Sequence, residues 1–149
     1  MIVELFKQAL LSFISTVGFA YILLVPKSKL LYSGLSGMAG WSVYWIAVTL
    51  GFSTVTGSFF GALMLAALSY RFAVKLKTPA TLYNIPGIVA LVPGAVSYQM
   101  TYAFIRGEYD QAIFYGIKVS ALAGAIAAGL IGFDLIRKII LRIKATYKK

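Results

Sequence analysis

The chain is 149 residues long, 60% hydrophobic and only 12% charged, with a mean hydropathy of +0.87, a net charge of +10 and neither cysteine nor histidine. Soluble domains carry about 25% charged residues to cover their surface, so this composition excludes a soluble enzyme, a disordered chain and a disulfide scaffold. Without His or Cys, the ordinary structural zinc and haem sites are excluded too.

What remains is an integral membrane protein. A bilayer core of about 30 Å takes about 20 helical residues. The first uncharged run, Gln8 to Pro26, is of span length. No small-residue cleavage site precedes Pro26, so the run reads as a span and not as a secretory signal peptide. Leu30 to Tyr70 is long enough for two spans, with a tight turn at Gly51-Phe52-Ser53-Thr54, where glycine and hydroxyl residues cluster. Thr78 to Ile105 holds one span with room for an irregular stretch, and Gln111 to Phe133, interrupted only by Lys118, holds the last. The sequence therefore predicts an all-α membrane protein with one transmembrane domain over residues 1–136, its five spans at about 5–25, 30–50, 53–71, 85–105 and 112–134. A basic cytoplasmic tail follows at 137–149.

The positive charge sets the expected orientation. Lys27, Lys29, Arg71, Lys75, Lys77, Arg137, Lys138, Arg142, Lys144, Lys148 and Lys149 all fall on one side of the five spans. Lys7 and Arg106 fall on the other, and Lys118 lies within the last span. Short cytoplasmic loops carry the excess of Lys and Arg, which predicts an outside N-terminus and an inside C-terminus. The tail then faces anionic lipid, each charge worth about 1 kcal/mol near the surface. It lacks the interleaved aromatics of a nucleic-acid surface, so nucleic acid is not an expected partner.

Small residues recur at close-packing spacing: Gly34, Gly37 and Gly40 with Ser33, Ser36 and Ala39; Gly57 and Gly61; and two stripes in the last span, Gly124-Ala128-Gly132 and Ala121-Ala125-Gly129. Such faces let helix backbones approach closely. They serve either packing within one chain or an interface with another subunit, including a second copy. Trp41, Tyr44 and Trp45 fall near the middle of the second span, as core or cavity aromatics, whereas Tyr70, Tyr83, Tyr102, Tyr109 and Tyr115 fall near span ends, as interface anchors.

The most informative stretch runs from Asn84 to Gln99, where Pro86-Gly87 and Pro93-Gly94 stand seven residues apart. Proline removes a backbone donor and frees a carbonyl one turn back, and glycine weakens the helix further. The pattern predicts a fourth span discontinuous at both pairs. Exposed backbone at membrane depth is tolerated only inside protein or beside an aqueous cavity, and broken helices of this kind build the binding sites of secondary transporters. Ser97, Tyr98, Gln99 and Thr101 follow the second pair as the densest polar cluster in any span. Asn84, both Pro-Gly pairs, Ser97, Tyr98 and Gln99 are therefore the candidate substrate-binding residues.

The run Ile85-Pro86-Gly87, then Val92-Pro93-Gly94, a small residue and Ser97-Tyr98 before a short charged loop, resembles the threonine/serine exporter family. It is most similar to the small integral-membrane subunit of the split, two-component type. The specific part of the resemblance covers residues 79–110, and size and span order agree along nearly the whole chain. Ala90 and Ala95 stand where members often carry Pro and Gly. The resemblance implies export of small amino acids from the bacterial cytoplasm across the inner membrane, driven by the proton-motive force, together with a larger membrane subunit. It implies no cofactor.

Lys118 completes the candidate substrate site, either meeting a substrate carboxylate in a cavity or snorkelling to the interface. Asp134 precedes Arg137 and Lys138 by three and four residues, which suits a surface ion pair, and it is also the candidate carboxylate for proton coupling. Glu4, Glu108 and Asp110 read as solvated. The competing functions are export of small dicarboxylates and a non-transporting assembly role. An intramembrane enzyme lacks any nucleophile–base constellation.

Overall fold

A computed structural model describes residues 2–146, with side chains described over 3–143. Among the described residues there are six helices and no strand: α1 (Ile2–Ile22), α2 (Lys27–Thr49), α3 (Thr54–Leu76), α4 (Thr81–Ile88), α5 (Gly94–Ile105) and α6 (Tyr109–Thr146). Three stretches are long and apolar enough to cross a membrane: Val3–Ile22, Thr54–Leu76 and Tyr109–Ile143. α2 has the length, but its serines, glycines and two lysines dilute its apolar character. α4 and α5, of 8 and 12 residues, are each too short to cross alone. The turn between α2 and α3 falls where glycine and hydroxyls cluster: Gly51 takes a positive φ of 94°, and the Ser53 hydroxyl caps α3 by accepting from the Thr56 amide. α6 runs on without interruption through Arg137 to Thr146, so the start of the expected tail is helical. Lys148 and Lys149 lie outside the described residues.

α2 is the central helix, packing on α1, α3 and α4. Its small residues make that possible. Gly34 lies under Phe13 and Val17 of α1, and Gly37 under Thr16. Gly40 meets Gly61 of α3 so closely that a Cβ on either would stand 3.1 or 2.8 Å from the other's carbonyl oxygen. α6 docks on α3 at Gly129, where a Cβ would stand 2.5 Å from the Phe59 carbonyl oxygen. These small-residue faces serve packing within the chain. Gly124 of α6, by contrast, has no neighbour within 4 Å of where a Cβ would be. The core is a cluster of Ala62, Leu65, Leu91 and Ile126, with Trp41, Tyr44, Ile88 and Leu130 against it.

The helix expected to break twice breaks once. Pro86-Gly87 lies inside α4, and the interruption falls between α4 and α5, at residues 89–93. The reason lies on α2. Pro86 has no N–H to give the carbonyl four residues back, that of Leu82. The Ser33 hydroxyl donates to this Leu82 oxygen instead, at 2.9 Å, and Ser36 donates to the Tyr83 oxygen at 3.3 Å. Gly87 lets α4 lie against Leu65, whose side chain would collide with any Cβ there. Tyr83 is not an interface anchor: it is fully buried, its hydroxyl 2.7 Å from that of Thr78.

Two outcomes test this packing. Ser33→Ala should destabilise the chain by about 0.5–2 kcal/mol in detergent unfolding, and the loss should shrink in a Pro86→Ala background, where residue 86 regains an N–H for Leu82. Gly129→Leu should cost about 1–3 kcal/mol or more by forcing α6 off α3, while Gly124→Leu leaves the stability of the isolated chain unchanged.

Candidate functional site: a broken helix between two clefts

The interruption is a compact turn. The Leu91 and Val92 amides both donate to the Ile88 oxygen, at 2.8 and 3.0 Å. Pro93, with φ −76° and ψ 54°, sits at the centre of an inverse γ-turn in which the Gly94 amide donates to the Val92 oxygen at 2.8 Å. The Ser97 amide and hydroxyl both donate to the Pro93 oxygen at 3.0 Å, closing the first turn of α5. The turn presents Leu91 to the core, where it is buried.

The helix also changes partners at the break. α4 packs on α1, α2 and α3, whereas α5 packs on α6 alone among the described helices. A cleft opens on each side of the break. The first, of about 320 Å³, lies between Trp41 and Tyr44 of α2, Thr54 and Ser58 of α3, the Val92–Val96 segment, and Lys118 and Leu122 of α6. Trp41 and Tyr44 lie ring against ring at 4.9 Å, and the Trp41 indole N–H donates to Gln8 of α1 at 3.0 Å, which fixes this wall. Lys118 therefore shares a cavity with Pro93 and Gly94.

The second cleft, of about 760 Å³, lies between α3, α4 and α6. Its polar groups come from Tyr70, Lys77, Thr78, Thr81, Asn84, Asp134 and Arg137. The Arg137 guanidinium lies over the Tyr70 ring at 4.6 Å from its centroid, and its Nη2 stands 3.5 Å from Asp134 Oδ1. Arg137 Nε and Asn84 Oδ1 are both buried with no hydrogen-bond partner. Lys77 ends α3 in the left-handed region, φ 52°, with the Thr78 amide reaching back to the Ala73 oxygen at 3.0 Å.

Between the clefts lies the apolar core. Leu122, Ile126 and Leu130 recur on one face of α6. Leu122 lines the first cleft, Ile126 is in the core and Leu130 lines the second. Lys118 and Asp134 are sixteen residues apart on this helix, about 24 Å along its axis. Two clefts that carry charged residues of α6 thus flank the apolar core of Leu65, Leu91 and Ile126, and the helix break lines the first of them.

The predicted site residues divide accordingly. Pro93, Gly94 and Lys118 come together at the first cleft, and Asn84 and Asp134 at the second. Pro86 and Gly87 are buried and support α4. Ser97 closes the first turn of α5, while Tyr98 and Gln99 stand exposed on α5, Tyr98 stacked on Tyr102 at 6.1 Å. Sequence reasoning assigned no site role to Arg137 or Tyr70. The available signal was the Asp134–Arg137 spacing, but the aromatic partner arrives only by packing of α3 on α6.

A family model for the threonine/serine exporter, ThrE, matches residues 8–136, nearly the whole chain. No solved structure matches it. The match takes in the Pro-Gly break and every residue lining the two clefts except Arg137, and the chain belongs to the threonine/serine exporter (ThrE) family of membrane transporters.

Proposed function

We propose that this chain is the small subunit of a proton-motive-force-driven exporter of threonine and serine in the bacterial inner membrane, acting with a larger membrane subunit. The observation that carries the reading is the pair of polar clefts on either side of the Leu65–Leu91–Ile126 barrier, at the level of a broken helix. Half-helix ends beside a midplane cavity are the device by which secondary transporters bind and alternate.

In this reading the chain crosses five times, α4 and α5 together making one crossing. The excess of Lys and Arg supports an inside C-terminus. The Lys118 cleft then opens outward and the Asp134 cleft opens to the cytoplasm. Lys118 meets the substrate carboxylate on the outer side, and Asp134 carries the proton in exchange for substrate.

Two features support a partner. Tyr98 and Gln99 stand exposed on α5, a helix that packs on α6 alone among the described helices. A glutamine facing hydrocarbon is costly unless another protein meets it. Gly124 and Ala128 form an exposed small-residue stripe on α6.

Co-reconstitution with the larger subunit in liposomes loaded with labelled threonine tests the reading. Efflux should accelerate when the outside is acidified and should require both subunits. Efflux indifferent to the gradient or to the partner, or succinate leaving faster than threonine, contradicts it. Lys118→Met should lower the efflux rate by about tenfold or more with the chain still folded, and full retention removes Lys118 from the path.

A further inference from the structure

Among the described residues, four buried side-chain polar atoms lack a hydrogen-bond partner: Thr16 Oγ1, Ser69 Oγ, Asn84 Oδ1 and Arg137 Nε. An unpaired buried polar atom costs about 1–3 kcal/mol, so each calls for a reason. Thr16 is pressed against Gly37 between α1 and α2, and Ser69 is enclosed on α3. The other two belong to residues lining one and the same cleft, and they are opposite in kind. Asn84 Oδ1 accepts, and Arg137 Nε donates.

We propose that the cleft between α3, α4 and α6 binds a free α-amino acid as a zwitterion, its carboxylate on Arg137 and its ammonium on Asp134 and Asn84. The inference rests on the exporter reading and names the residues that would recognise its substrate.

The guanidinium is prepared for this. Tyr70 supports one face at 4.6 Å, and the side chain is only 29% exposed. Its one ion-pair contact is the long 3.5 Å approach of Nη2 to Asp134 Oδ1. Nε is enclosed without a partner, so a carboxylate that displaces what covers it would meet the bidentate geometry that arginine favours. Lys77, which also lines the cleft, adds a second positive charge to it.

Asp134, 60% exposed and held only by that long contact, keeps acceptor capacity for an ammonium. The Asn84 oxygen, enclosed and without a donor, becomes a neutral acceptor for another ammonium N–H or a side-chain hydroxyl once a ligand displaces what covers it. The opposed charges also exclude near relatives of the substrate. A dicarboxylate would set its second carboxylate against Asp134, and a simple amine would meet Arg137 and Lys77. The volume of about 760 Å³ leaves room for a small amino acid with its water.

The test is equilibrium binding of labelled L-threonine to the full chain in phosphatidylcholine nanodiscs, with threonine methyl ester and 3-hydroxybutyrate as probes lacking one charge each. Threonine should bind about tenfold or more tighter than either probe. Arg137→Gln should erase the preference over the ester, and Asp134→Asn the preference over 3-hydroxybutyrate. Arg137→Lys, which keeps the charge without the fork, should retain an intermediate preference and serves if Arg137→Gln does not fold. Equal loss of all three ligands in both variants, or threonine binding unchanged by them, overturns the proposal. So does absence of threonine binding to the unaltered chain, or its displacement by phosphatidylethanolamine or phosphatidylserine in the disc, which would make the cleft a lipid-headgroup site. The exporter reading fails separately. Threonine efflux with an unchanged KM in Arg137→Gln overturns the cleft alone, whereas charge-selective binding without gradient-driven efflux overturns the exporter and leaves the cleft.

Discussion

A helix that stops and restarts within an apolar bundle must have its freed backbone groups met by protein, because hydrocarbon offers them nothing. Here α2 supplies much of what is needed. The Ser33 hydroxyl takes over the Leu82 carbonyl that Pro86 leaves without a donor, and Ser36 reaches the next one. With α4 so held, one proline is absorbed into a regular helix and the other is left to make the turn. The turn then closes on itself through the Ile88, Val92 and Pro93 carbonyls. Without that anchoring by α2, the segment would have no reason to place Leu91 in the core.

The position of Leu91 decides what the molecule encloses. Together with Leu65 and Ile126 it forms an apolar core that packs against Trp41 and Tyr44 of the first cleft and Leu130 of the second, and the two clefts differ in chemistry. One carries a lone lysine beside the restarted helix, and the other an arginine, an aspartate and an asparagine around an aromatic wall. A barrier of a few apolar side chains at a turn needs only a small rearrangement to open, and α5, packed on α6 alone, is the element least tied to the rest. The rocking of α5 and α6 against the α1–α4 body is the motion that the proposed function would use.

Much of this was legible in the sequence. The uncharged runs marked the helices, and Gly51 to Thr54 marked a turn, because charge and glycine act locally. The second Pro-Gly pair marked the break for the same reason. Pro86 misled because its rescue comes from Ser33, forty-nine residues away in sequence from Leu82. Tyr98 and Gln99 were grouped with Pro93 by adjacency, but which way a helix faces after an irregular turn depends on its partner, here α6. Arg137 reads from sequence as the start of a basic tail facing lipid and as a surface partner of Asp134, because its aromatic support, Tyr70, lies on another helix. The residues whose role depends on distant packing are those the pattern missed.

The central claim is that the two clefts open to opposite sides of the membrane with the Leu91 barrier between them. The native chain has no cysteine, so single replacements report without background. Labelling of Ala95→Cys and Thr81→Cys, one at each cleft, with a membrane-impermeant maleimide in right-side-out and inverted vesicles measures this directly. The account predicts that Ala95→Cys reacts only from outside and Thr81→Cys only from the cytoplasmic side. Reaction of both from the same side would contradict it.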